Sequence, residues 1–240
     1  ASPAAEDARR RLLAWDAVLG RDSVEAALYV AWERRLVRNL REIFVPASIR
    51  TLVGGVNMKK AINGLAAPDG RFGADPIAGR DRLVADSLEQ ALSDLEAQLG
   101  PDQADWRYGQ TNFKHALIRH PLSPAVDEAT RLRLDVGPVP RGGYGRTLNN
   151  TGNGDNQTSG ASFRIIADTE NWDHSVGTNA PGQSGNPDSS HYSDLFTLWA
   201  DGKYFPVFYS RAKIESVAER TEEFFPAGSR LRLIWRRQVR

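Results

Sequence analysis

Residues 179–205, "NAPGQSGNPDSSHYSDLFTLWADGKYF", hold the densest set of side chains able to do chemistry. Ser184 is a potential nucleophile, and His191 a potential base. Gln183 and Asn186 supply amides, and Asp188 and Asp194 supply carboxylates. In the nucleophile elbow, written G-x-S-x-G, the second glycine lets a strained strand-to-helix turn expose the serine hydroxyl. Here "GQSGN" ends in Asn186, so the match fails at its last position. A turn held by local Asn, Ser and Gly hydrogen bonds accounts for the same residues.

Other potential chemistry is thinner. The glycine-rich run "RGGYGRTLNNTGNGDNQTSG" at 141–160 has neither the G-x-G-x-x-G spacing nor the G-K-[ST] ending of phosphate-binding loops. Asn153, Asp155 and Asn156 offer oxygen ligands, but the closing Glu of a calcium loop is missing. The four histidines, His115, His120, His174 and His191, contain no i, i+4 pair. His115 and His120 lie five apart on an expected strand, where they face opposite sides, so a zinc site is not expected. Arg34, Arg35, Arg38 and Arg41 are interleaved with Glu33 and Glu42, and read as a solvated helix face, not as a phosphate-binding stripe.

Elements must position these residues, and composition frames them. The chain has 240 residues, 40% hydrophobic and 25% charged, enough for a real core. Lys and Arg total 31 against 30 Asp and Glu, so the net charge of +1 gives no global attraction to nucleic acid or an anionic membrane. There is no cysteine, which excludes disulfides, thiolate nucleophiles and Cys-ligated zinc. No run approaches the roughly 18 apolar residues of a membrane span. The N-terminal stretch lacks the basic start and apolar core of a signal peptide.

The first part, 1–103, reads as mainly helical with irregular loop. One helix is expected from Pro3 to Gly20. A second follows, capped by Asp22 or Ser23 and closed by Pro46, the two forming a helical hairpin. Residues 54–79 read as irregular loop, and a third helix is expected from about Asp81 to Leu99 with Gly100-Pro101 as its stop. The second part, 104–240, reads as strand-rich. Strands are expected at 113–118, 131–136, 161–168, 203–209 and 230–237. Helices segregated from strands predict an α+β fold.

Several pieces occur in an order that residue types alone do not explain. They are "LLAWDAVLGRDSVEAALYVAW" at 12–32, "HALIRHPL" at 115–122, "SFR" at 162–164, Trp172 with Ser175, "GQSGNPDSSHYSDL" at 182–195, "LW" at 198–199 and "YSR" at 209–211. Together they resemble the C-terminal part of the β-subunit in the penicillin acylase (penicillin amidase) family of N-terminal-nucleophile hydrolases.

The resemblance implies a portion of an αββα sandwich. It also implies an enzyme that cuts itself so that a serine becomes the β-chain N-terminus, its own α-amino group acting as base. Backbone N–H groups and an asparagine amide would hold the oxyanion. Substrates implied are acyl amides such as β-lactam antibiotics, acyl-homoserine lactones and related lipopeptides. Implied partners are the α-subunit and the N-terminal part of the β-subunit, in the periplasm or outside the cell. Nucleic acid and membrane are not expected partners.

This sequence begins with Ala1, so the nucleophile, the oxyanion asparagine and the family's calcium ligands are expected upstream, and the isolated chain is expected to be inactive. No catalytic role carries over to a position here. Gln183, Ser184, Asn186 and His191 are expected to form pocket wall or supporting structure. An acidic residue supporting catalysis late in the β-chain has no secure counterpart among Glu170, Asp188 and Asp194. Two alternatives stay open: a non-catalytic module binding a small ligand or partner, and an autonomous hydrolase using Ser184 with His191.

Overall fold

A computed structural model describes residues 2–152, 154–157, 160–219 and 221. They fall into two compact units, one ending at Gly160 and the next beginning at Ala161. The change of texture at 103/104 therefore lies inside the first unit. The expected strand at 230–237 lies outside the described residues.

In the first unit, α1 (Pro3–Ala14) begins where Ser2 Oγ accepts from Ala5 N, with Pro3 fixing the first turn. It ends six residues before Gly20. Asp16 Oδ1 takes the Val18 N–H at 2.9 Å, Ala17 turns left-handed at φ 61°, and the helical ladder cannot continue. Helix α2 (Val24–Phe44) is capped by Ser23, whose Oγ accepts from Ala26 N. It buries Ala26, Ala27, Leu28, Val30, Leu36 and Leu40.

Residues 54–79 are not all loop. Asn57 caps α3 (Met58–Ala66), and Asp75 with Pro76 starts α4 (Pro76–Leu99) some five residues before the expected Asp81. Gly79 disguised that start. A side chain there would lie 2.0 Å from the Phe72 carbonyl oxygen, so glycine serves close packing and does not break the helix.

Helices α1, α2 and α4 share one core, with Ala5, Ala8, Leu28, Val30, Leu88, Leu92 and Leu95 packed beside Trp106, Tyr108 and Phe113. Polar ties reinforce it. Arg11 meets Glu25 at 2.8 Å, Ser2 Oγ donates to Glu89, and Arg35 pairs with Asp94. The expected hairpin of α1 and α2 is thus part of a three-helix layer. A small sheet follows: β1 (His115–Ile118) pairs antiparallel with β2 (Val136–Pro140), His115 opposite Pro140 and Ile118 opposite Val136, with an irregularity after Ala116.

The expected strand at 131–136 is a helix instead, α5 (Glu128–Leu134). Asp127 caps it by accepting from Thr130 N, Glu128 sits in its first turn, and Arg131 and Arg133 sit in its last, which suits the helix dipole. Leu132 is 72% exposed, so the Arg-Leu alternation does not mark a buried strand face.

In the second unit β3 (Arg164–Ile166), β4 (Val176–Thr178) and β5 (Phe205–Pro206) form an antiparallel sheet in that order. Strands β3 and β5 fall within the expected runs, shortened. Helix α6 (Phe196–Ala200) follows the 182–195 loop, and α7 (Arg211–Val217) is capped by Ser210. The fold is α+β: helices with short antiparallel strands.

Candidate functional site

The 181–195 loop is folded back on itself by its main chain. Gln183 N and Ser184 N both donate to the His191 carbonyl, at 2.9 and 3.0 Å, and Leu195 N donates to the Pro181 carbonyl at 3.1 Å. Gly182 is required at this crossing. A Cβ there would lie 2.3 Å from the His191 carbonyl oxygen and 2.7 Å from Tyr192.

Side chains finish the turns one by one. Ser184 Oγ accepts from Asn186 N at 3.1 Å, Asn186 Oδ1 from Asp188 N at 3.0 Å, and Ser189 Oγ from His191 N at 3.1 Å. These Asx- and Ser-type turns are the local bonding that such residue types favour. The loop brings Ser184 and His191 together through the backbone, but not through their side chains. His191 Nδ1 faces Asp194 Oδ2 at 2.8 Å, and no bond links the imidazole to Ser184 Oγ among the described residues. Gln183 contributes only a 3.5 Å approach to its neighbour's carbonyl. Without a hydrogen bond from Ser184 Oγ to the imidazole, this geometry pairs Ser184 with no base, which a serine nucleophile requires.

Nearby acids also do structural work. Asp173 accepts from Tyr209 N and Ser210 N at 2.8 and 2.7 Å. The Ser210 hydroxyl and then these N–H groups hold its carboxyl below the usual range. Asp168 is lowered in the same way by the N–H groups of Asn171 and Glu170.

The glycine-rich run of the first unit is held from beneath by polar groups. Tyr108 Oη and Gln157 Nε2 donate to the Gly143 carbonyl at 2.6 and 2.9 Å, and Lys114 Nζ donates to the Gly154 carbonyl at 2.5 Å. Lys114 is fully buried over the Tyr144 ring, and burial first, then the Arg34 charge, lowers its pKa to about 7. Asp155 serves Arg34 at 2.8 Å, and Asn156 brackets Leu117 with both ends of its amide. Those two potential calcium ligands are thereby occupied, and Asn153 lies outside the described residues. Among the described residues no group of three His, Asp or Glu side chains is arranged to hold a metal.

The helix arginines are compensated largely from other elements, and of the four only Arg38 is exposed, so the face is a packing face and not the solvated one expected. Arg34 meets Asp155, Arg35 and Arg38 meet Asp94, and Arg41 donates to the carbonyls of Arg50 and Val53. The histidines are scattered: His120 Nδ1 accepts from Leu122 N, and His174 stands by Asn171.

Sequence reading missed one feature, an apolar cleft of about 700 Å³ in the first unit. Leu12, Trp15, Tyr29, Trp32 and Leu88 line it, with Tyr144 and Arg146 at one side. The aromatic-rich stretch at 12–32 was the available signal, since Trp15, Tyr29 and Trp32 form a chain of ring contacts at 5.5 and 6.3 Å.

The chain belongs to the penicillin amidases, whose sequence profile matches residues 1–216. An acyl-homoserine lactone acylase QuiP of Pseudomonas aeruginosa is 28% identical over 89% of this chain and 28% of its own length. A penicillin acylase 2 proenzyme of a Pseudomonas species is 30% identical over 93% of this chain and 29% of its own. The chain thus spans less than a third of either relative. Among solved structures, a thermostable penicillin G acylase from Alcaligenes faecalis aligns with a TM-score of 0.47 and 19% identity, over 95% of this chain and 44% of that one. No helix among the described residues is long and apolar enough to cross a membrane.

Proposed function

We propose that these residues are the C-terminal portion of an acylase that hydrolyses the amide bond of an acylated small molecule, a β-lactam antibiotic or an acyl-homoserine lactone. The observation that carries this reading is the match of the penicillin amidase profile over residues 1–216. Relatives of both named activities, aligned over 89% and 93% of this chain, support the choice of substrate classes.

In this reading the nucleophile is an N-terminal serine outside these 240 residues. Its hydroxyl oxygen attacks the amide carbonyl while its α-amino group takes the hydroxyl proton and passes it to the departing amine. Water then cleaves the resulting ester and frees the acid. N–H donors aimed at the developing oxyanion lower both barriers. The 181–195 loop contributes shape: its main chain closes on the His191 carbonyl, and its serine and histidine are engaged in turns. In this reading any calcium is held by residues outside this chain. The enzyme works in the periplasm or outside the cell, which fractionation of the native host tests.

Hydrolysis of a chromogenic phenylacetyl anilide and of a long-chain acyl-homoserine lactone, by the full-length gene product and by these 240 residues alone, tests the reading. Turnover by the full product and none by the chain is expected. Turnover by the chain alone overturns it.

A further inference from the structure

The cleft of the first unit is not used by the reading above. Leu12, Trp15, Leu19, Tyr29, Trp32 and Leu88 make its walls. The charges around its rim are satisfied within the chain: Glu6 with Arg9, Glu33 with Arg146, and Asp81 with Arg80, each at 2.7 Å. An incoming carboxylate or ammonium would have to displace one of these pairs to gain a partner. A nonpolar occupant gains the whole wall, at about 25 cal/mol for each Å² covered.

The volume suits a small molecule or a few side chains equally. Leu13 separates the two. It lines the cleft yet is 73% exposed. A small molecule seated between the walls leaves this outward-facing residue in water, whereas a polypeptide laid across the cleft covers walls and lip together. Contiguous exposed apolar surface of this kind marks a site of association. The chain supplies only 28% of the length of the relative it matches in Pseudomonas aeruginosa.

We propose that the cleft seats an apolar segment of the acylase polypeptide that lies outside these 240 residues, with nonpolar side chains packed on Trp15, Tyr29 and Trp32 and main chain crossing Leu13. This rests on the reading of the chain as part of a larger acylase, and gives that partnership its location. The segment needs no charged anchor, because the rim carries its own counter-ions.

The full-length gene product carrying photoreactive benzoylphenylalanine in place of Leu13 tests the contact. Irradiation is expected to crosslink this position to a peptide outside these 240 residues, identified by mass spectrometry. Crosslinks confined to these residues, to a second copy or to a non-protein molecule, or none at all, overturn the proposal. As a second measurement, Leu13→Glu in the full-length product shortens the half-life of the folded enzyme against thermal inactivation about tenfold, as expected of a charge set into an apolar contact. Leu13→Met retains the half-life, and equal behaviour of the two variants overturns the proposal. Turnover of acyl amide is read in parallel on the unsubstituted full-length product. Its absence with the crosslink present sinks the enzymatic reading and leaves the packing intact; its presence without the crosslink does the reverse.

Discussion

In the unit ending at Gly160, α2 and α4 bury Leu28, Val30, Leu40, Leu92 and Leu95 at 8% exposure or less, and the helices exist because their apolar faces have each other. In the unit beginning at Ala161, Ile165 and Ile166 are neighbours on β3 that point to opposite faces of the sheet, yet both are more than half exposed. Its order comes from main-chain bonds, from caps such as Ser210, and from two aromatic pairs, Phe196 stacked on Trp199 at 5.7 Å and Trp172 tilted against Tyr209 at 5.2 Å. The first mode spreads stability over many side chains. The second concentrates it, so single positions there carry consequences their surroundings would not suggest.

The largest effect expected from this contrast is at Trp199. Its ring is 2% exposed, its indole N–H donates to the Ala161 carbonyl at 2.8 Å, and its own carbonyl accepts from Arg164 at 2.5 Å. Trp199→Ala is expected to cost about 3–5 kcal/mol and to erase hydrogen-exchange protection across 164–207. Leu95→Ala, in the helical core, costs about 2–5 kcal/mol but leaves protection in the rest of α2 and α4 in place. Comparable loss of protection within each variant's own unit breaks the contrast.

Next in size is Gly182→Ala. The added methyl meets the His191 carbonyl oxygen, and the loop must open to admit it, at about 1–3 kcal/mol. Exchange of the Gln183 and Ser184 amides, which both bond to that carbonyl, reads the opening directly. Unchanged protection at both would show that the crossing is not what holds the loop.

A smaller effect sharpens the helical side of the comparison. Lys114 is buried with a pKa lowered to about 7 from an ordinary 10.5, by desolvation and Arg34 against the opposing pull of Asp155 and Glu33. Between those values the unfolded chain holds more protons than the folded one, so stability rises with pH through that window. Below about pH 7 both forms are protonated and the penalty is constant. The urea midpoint is expected to climb from pH 7 to 9, and Lys114→Met to flatten that climb. An unchanged slope in the variant would show that the dependence comes from other groups.

What the sequence made legible follows the same division. Helix α2 was readable at both ends, from Asp22 or Ser23, of which Ser23 makes the cap, and from Pro46, because capping is local chemistry. The stop of α4 at Gly100 was readable for the same reason. Residues 131–136 were misread because a four-residue Arg-Leu alternation does not say which face is buried, while Asp127 lay just upstream as a cap. Helix α3 was hidden by glycines on either side. In the loop, the turn residues and the helix after them were legible, but not that Ser184 and His191 take separate partners. The cleft was out of reach for another reason: its walls come from α1, α2, α4 and the turn at Tyr144, and only the fold assembles them.

The smallest effect expected is at Ser184, and it decides whether the loop works through its backbone or its side chains. Ser184→Ala removes one hydroxyl that accepts from Asn186 N, a turn bond near the surface worth about 0.5–1.5 kcal/mol. The two bonds to the His191 carbonyl are made by main-chain N–H groups and survive the substitution. Turnover by the full-length product is therefore expected to stay within about tenfold of the parent, since about 1.4 kcal/mol corresponds to a factor of ten in rate. A loss of several hundredfold would mean that the hydroxyl itself reaches substrate. The loop would then have to be rebuilt around a base that His191, held by Asp194, does not supply in this conformation.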